Sequence, residues 1–335
     1  MVGDACNIAY PIRYEPKYHK WVATGKPEKV LYIMTEQEPA EIQTMILSYL
    51  TGYNEEMFLY GTFGPEHMDR ISKALNIMEM YKDNFLTAQI PDPSASVIKN
   101  LFRKYNLQKG VENFFYDYIF SSPAMLNEYR DLGLREDVCL RLFTTALKNV
   151  TVELDVFTLT ATQISNDEGD GFKDFRNIRG SKAIVDLCDF ACIMSRPSIE
   201  ELKVVAGFQK LFSFSPDCVT DIFKNRRGRW TMVRIWSKMD LGTCRRYDLF
   251  VTTPDLKAIG EFQIVDFVQT KDQELIDLEL LYNEGEVTDD MEQQLIENFS
   301  PEIAPQSLLD EVTKAFGDER ERKERLKNVS IEELL

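Results

Sequence analysis

Apolar residues along this chain fall into short continuous runs separated by stretches with a three-to-four-residue rhythm, the pattern of strands alternating with helices. Val-Leu-Tyr-Ile-Met-Thr at 30–35 reads as a strand. Glu36-Gln37-Glu38-Pro39 then turns into a helix with Pro39 near its first position. Ile42, Met45, Ile46, Tyr49 and Leu50 trace one apolar helical face, and Gly52 stops it. A second helix is predicted over about 67–81 and a strand over 85–90. Pro91 and Pro93 interrupt, Ser94 caps, and Val97, Ile98, Leu101, Phe102 and Tyr105 mark another amphipathic helix. The run Glu112-Asn113-Phe114-Phe115-Tyr116-Asp117-Tyr118 is a short apolar strand that ends on a carboxylate. A helix over about 135–150 follows, then a strand over 156–162 that ends at Gln163.

Beyond Gln163 the pattern changes. Asn-Asp-Glu-Gly-Asp-Gly at 166–171 is a polar loop, and the apolar run Phe190-Ala191-Cys192-Ile193-Met194 is expected to be buried. Two β-rich stretches, 218–224 and 230–237, flank the turn Asn225-Arg226-Arg227-Gly228-Arg229 and should pair as a hairpin. The expected fold is α/β: a largely parallel sheet covered by helices on both faces and finished by antiparallel strands. From about 271 onward strand signals vanish and charged helical segments take over. The chain is therefore expected to divide into a core over 1–270 and an acidic, mainly helical extension over 271–335, without internal repeats.

The composition, 44% hydrophobic and 28% charged over 335 residues, is that of a soluble globular protein. With no apolar run of 18 residues and no charged-then-apolar leader, neither a membrane span nor export is expected. Six cysteines lie scattered without a CxxC pair. Cys188 and Cys192, four apart in an apolar run, are expected to be buried thiols rather than zinc ligands. Two histidines, His19 and His67, argue against a histidine metal centre or a Ser-His-Asp site. Cysteine usage fits a reduced, cytosolic setting. The net charge of −16 speaks against nucleic acid until its position is considered. Residues 271–335 hold 19 Asp/Glu against 7 Lys/Arg, a net of −12, so the first 270 carry only −4. A near-neutral core with basic loops remains compatible with a phosphate backbone.

Asp117 emerges where open α/β sheets hold their ligands, and a carboxylate there can hold Mg²⁺ through water beside nucleotide phosphates. A strand-end cap is its plainer use. Glu36, closing the neighbouring strand, suits a base for an attacking water or, alternatively, an acid at the start of the following helix. Gln163, closing the last of these strands, has a turn-forming amide as its plainer use. Lys224 and Arg226 alternate along a strand edge and can point the same way, whether toward a phosphate or into solvent. Arg179 and Lys182 flank Gly180 and Ser181, whose small side chains would let backbone amides reach a phosphate; a solvated basic loop is the competing use.

Taken in order, these segments resemble the C-terminal ATPase domain of DnaB-type replicative helicases, particularly the versions carried by bacteriophages and prophages. Val30-Leu31-Tyr32-Ile33-Met34-Thr35-Glu36 resembles the strand bearing that family's catalytic glutamate, and Phe114-Phe115-Tyr116-Asp117-Tyr118 its Walker B strand. Phe157-Thr158-Leu159-Thr160-Ala161-Thr162-Gln163-Ile164 resembles the strand ending on the γ-phosphate-sensing glutamine. Ile178-Arg179-Gly180-Ser181-Lys182-Ala183-Ile184 through Asp189 is similar to the DNA-contacting motif, with Lys182 where the family has a small residue. Ile222-Phe223-Lys224-Asn225-Arg226-Arg227-Gly228 resembles the segment that donates a lysine and an arginine finger to the neighbouring subunit.

The resemblance covers roughly residues 1–255. It implies a RecA-like P-loop NTPase core and an ATP-driven, Mg²⁺-dependent DNA helicase. It further implies a homo-hexameric ring moving 5′ to 3′ on single-stranded DNA, a primase or helicase loader as partner, and a bacterial or phage-infected cytoplasm. A RecA/RadA-like recombination ATPase and a non-hydrolysing regulatory relative are the alternatives. One departure is large. A P-loop needs G-x-x-x-x-G-K-[ST] between a strand and a helix, and the sequence contains none. Gly25-Lys26 is followed by Pro27, whereas Met1 to Tyr10 resembles the helix that follows the family's P-loop. The expectation is a helicase portion whose phosphate loop lies in a missing N-terminal segment, and which is inactive alone.

Overall fold

The chain opens with a helix, α1 (Val2–Ala9), and a short hairpin, β1 (Ile12–Glu15) with β2 (Lys20–Ala23). There follow β3 (Val30–Met34), α2 (Pro39–Thr51), α3 (Glu55–Leu59), α4 (Pro65–Met80), β4 (Phe85–Gln89) and α5 (Ala95–Lys109). Next come β5 (Asn113–Asp117), α6 (Pro123–Glu128), α7 (Glu136–Leu154) and β6 (Phe157–Thr160). The computed structural model describes residues 1–164, 171–178, 183–206, 215–228, 230–259 and 275–277. Described residues of Met1–Glu168, Phe175–Cys188 and Asp240–Arg245 gather in one compact unit. Those of Gly169–Asp174, Asp189–Met239 and Arg246–Leu335 form a second.

The first unit is built on a parallel sheet in the order β4-β3-β5-β6. Its strands run in step: Met34 lies opposite both Gln89 and Asp117, and Tyr116 opposite Thr160. All five residues of β3 are buried, as a strand enclosed on both faces and both edges must be. On one face Leu31, Ile33, Phe114 and Tyr116 join Ile98, Phe102, Phe143 and Leu147 of α5 and α7 in a single core. Phe102 stacks on Phe114 with ring centroids 4.0 Å apart. On the opposite face Tyr32 stacks between Phe85 and Phe115. At the open edge, β6 exposes half of Phe157.

Local signals set the ends of these elements. Glu38 is the N-cap of α2 and its amide donates to the Glu41 carboxylate at 3.0 Å, Pro39 follows at the first turn, and Gly52 ends the helix at φ +68°. Ser94 caps α5 through the Val97 amide. The turn Asp240–Arg245 also belongs to this unit. There the buried Arg245 guanidinium donates through Nη2 to the carbonyls of Tyr14 (2.6 Å) and Tyr49 (2.5 Å). Its Nη1 lies 3.8 Å from the Glu15 carboxylate.

The second unit holds β7 (Phe190–Ser195), α9 (Ile199–Val204), β8 (Cys218–Asn225), β9 (Val233–Asp240), β10 (Arg245–Thr252), β11 (Lys257–Ile259) and β12 (Leu275–Asp277); α8 (Ala183–Leu187) packs with the first. The sheet order is β12-β11-β10-β9-β8-β7. The predicted hairpin is β8 with β9, Cys218 opposite Ser237 and Ile222 opposite Val233.

Two expectations are corrected. The run at 190–194 is not buried as a whole: Phe190 and Met194 are about half exposed and Cys192 is exposed, while Ile193 is buried. As an edge strand β7 has one covered face, so the side chains alternate in and out. Cys188, just before it, is only half-buried. A strand also occurs where strand signals vanish from the sequence, because the edge of β11 offers backbone groups that 275–277 can pair with whatever their local propensity. The rest of the acidic extension lies outside the described residues.

Inside the second unit a charge cluster is sealed from water. Arg234 Nε donates to Asp221 Oδ1 at 2.8 Å, and its Nη1 lies 2.7 Å from Glu201 Oε1. The other Asp221 oxygen accepts the Lys173 amide at 2.9 Å. Burial holds the Asp221 carboxyl above its ordinary value despite the guanidinium beside it.

Candidate nucleotide-hydrolysis site

Because β3, β5 and β6 are parallel and in register, their C-terminal ends open on one rim of the sheet. Thr35, leaving β3, donates both its amide and its hydroxyl to the Asp117 carbonyl, each at 3.0 Å. Asp117 ends β5 half-buried, with Oδ2 taking the Tyr32 hydroxyl at 2.5 Å. Tyr32 pairs with Phe115 across the ladder, two residues before Asp117 and on the same face. The Asp117–Tyr118 peptide is cis. Beyond β6, the Ile119 amide bonds the Ala161 carbonyl at 2.9 Å and Thr162 Oγ1 donates to the Ile119 carbonyl at 3.2 Å. These bonds bring Gln163 back over the segment that follows Asp117.

Tyr118 is the meeting point of the rim. Its hydroxyl donates to Glu36 Oε1 at 2.9 Å and accepts from Gln163 Nε2 at 3.3 Å. The bond to Glu36, then burial, holds the phenol above its ordinary value. Glu36 itself is exposed and stands outside the helix start, where Glu38 and Glu41 form the cap. Glu36 and Gln163 thus meet through Tyr118, and Asp117 ends the strand immediately before it.

The remaining sequence candidates lie elsewhere. Lys224 in β8 is half-buried opposite Ala191, in the second unit. Arg226, just past that strand, is exposed; its amide bonds the Asp189 carbonyl at 2.9 Å and its guanidinium reaches Asp189 Oδ1 at 3.4 Å. Arg179, Gly180, Ser181 and Lys182 lie outside the described residues. Sequence inspection missed Tyr32, Thr35 and Tyr118. For Tyr118 the available signal was its polar tip immediately after the strand-ending acid.

The donor set fits a hydrated hard cation. No group of three or more His, Cys, Asp or Glu side chains gathers among the described residues, so there is no dedicated metal cage among them. One half-buried carboxylate with a neighbouring acid matches Mg²⁺, which keeps its waters and shares substrate phosphates. The phosphate-cradling loop has no counterpart in the sequence.

A parallel sheet with acids and an amide at its carboxyl rim, joined to antiparallel strands, defines a RecA-like α/β fold. It is the fold of DnaB-like helicase ATPase domains. One solved ATPase domain matches with a TM-score of 0.52 and 14% identity, covering 66% of this chain and 75% of that domain. A DnaB-like replicative helicase, solved in a study of its interactions with primase, matches with a TM-score of 0.51 and 14% identity. That match covers 66% of this chain and 50% of the helicase. In sequence, the chain is 30% identical over 268 residues to the SPbeta prophage-derived uncharacterized protein YorI of Bacillus subtilis (strain 168). The match takes in 77% of this chain and 53% of YorI, so the chain spans about half the length of that relative. No family model matches. Among the described residues no helix is long and apolar enough to cross a membrane.

Proposed function

We propose that this chain is the C-terminal part of an ATP-driven replicative DNA helicase. The observation that carries the proposal is the convergence of Glu36, Asp117 and Gln163 on one rim of an in-register parallel sheet. Bound Mg²⁺-ATP supplies the phosphoryl group whose transfer to water releases energy. Glu36 would take the water's proton, Asp117 would hold the hydrated Mg²⁺, and Gln163 would meet the terminal phosphate through its amide. Lys224 and Arg226 serve the nucleotide of a neighbouring subunit, and an arginine supplied in this way contributes ~10³–10⁵ in rate.

In the same proposal the subunits form a hexameric ring that moves 5′ to 3′. Arg179, Gly180, Ser181 and Lys182 grip single-stranded DNA in its channel, and a primase or loader docks on the ring. The phosphate loop comes from polypeptide outside these 335 residues.

The test is complementation. DNA upstream of this reading frame should encode Gly-x-x-x-x-Gly-Lys-Ser/Thr. The polypeptide carrying it, mixed with this chain, should restore DNA-stimulated ATP hydrolysis that Asp117→Asn abolishes. The missing motif favours one second reading, a non-hydrolysing regulatory relative. Complementation without hydrolysis would select it.

A further inference from the structure

Tyr118 stands between the two groups that the proposed reaction must coordinate, and its hydroxyl hydrogen-bonds both. The one proton of that hydroxyl is given to Glu36 Oε1 at 2.9 Å, and its oxygen accepts from Gln163 Nε2 at 3.3 Å. Glu36 and Gln163 leave different strands and meet through this phenol. Chains of this kind polarise along their length: an N–H donated to a phenol oxygen makes that phenol a stronger donor to the next group. Bonding to Gln163 therefore tightens the hold of Tyr118 on Glu36. Redirecting the Gln163 amide to an anion weakens that hold.

We infer that Tyr118 is a positioning residue that transmits the state of the Gln163 amide to the Glu36 carboxylate. While Gln163 bonds Tyr118, the carboxylate is parked against a phenol, and that bond occupies one lone pair of Oε1 and fixes its direction. Once an anion claims the Gln163 amide, Tyr118 loosens and Glu36 becomes available. Hydrolysis by the water-activating acid would then wait for the sensing amide to be engaged. The Asp117 side chain is held separately, by Tyr32. The role in hydrolysis rests on the ATPase proposal above, whereas the bond chain itself does not.

The two can be tested apart. The full chain, labelled with ¹⁵N in glutamine side chains, gives one amide signal that Gln163→Ala removes. Glu36→Gln should shift that signal through the phenol, and in the Tyr118→Phe background the shift should vanish. A Gln163 signal indifferent to Glu36→Gln overturns the relay, whatever the catalytic outcome. In the complemented protein Tyr118→Phe should change kcat with KM for ATP preserved, and should remove most of the additional effect of Gln163→Ala. Fully additive effects of Tyr118→Phe and Gln163→Ala overturn the relay. A responsive Gln163 signal, together with a complemented protein that hydrolyses no ATP, overturns the ATPase proposal and leaves the bond chain standing.

Discussion

Glu36 is exposed, yet it is not idle at the surface: the Tyr118 hydroxyl holds one of its oxygens. Exchanging the carboxylate for an amide keeps an acceptor for that bond and removes the capacity to take a proton. Glu36→Gln should therefore lower kcat of the complemented enzyme by about 10²–10⁴ while ATP binding persists, checked by steady-state kinetics beside nucleotide titration. Glu36, Asp117 and Gln163 were legible in the sequence because each closes a short apolar run, and a strand end is a position that periodicity locates. Tyr118 and Tyr32 were not legible in the same way. Their importance depends on which strand lies beside which and on register, and neither is written in a local pattern.

Among the elements, β8 and β9 meet around a cation with two acids and almost no water. Removing Arg234 leaves Asp221 and Glu201 buried without their counter-charge, so Arg234→Ala should cost about 3–5 kcal/mol in urea unfolding. The sign with pH is definite. Burial already raises the Asp221 pKa, and losing the guanidinium raises it further. The buried carboxyl then takes up a proton more readily than the unfolded one, so the deficit of the variant should shrink as pH falls. Elements with long, clean periodicity, such as α2, α5, α7 and the β8–β9 hairpin, agree with the sequence pattern to within a few residues. The β1–β2 hairpin was missed because its strands are four residues each and mix charged with apolar side chains. β12 was missed because a neighbouring edge, not its own composition, makes it a strand.

Over the whole molecule, the first unit buries several phenols that water would otherwise ionise near pH 10. Tyr49 is the best placed for measurement: burial pushes it up to about 12 despite Arg13 and Arg245 nearby. Below the unfolded value near 10 its contribution to stability is complete, and it is lost as pH rises from there toward 12, since the unfolded chain releases that proton first. Urea midpoints measured across this interval should fall, and in Tyr49→Phe they should fall less steeply. The grouping of the chain into two units escaped the sequence altogether. A boundary sought in composition falls near the acidic extension, whereas the first unit is assembled from three separate stretches.

Arg245 gives that assembly a practical edge. Its guanidinium arrives 196 residues after Tyr49 and 231 after Tyr14 to meet their carbonyls. A gene shortened to end after Cys188 would still encode every strand of the parallel sheet, yet its product would lack this keystone. Two inward-facing carbonyls would be left to recruit solvent, and Glu15 would be left with Arg13. Anyone seeking a shorter version of the chain that keeps the first unit intact should therefore trim from the acidic end and stop well short of the β9–β10 turn.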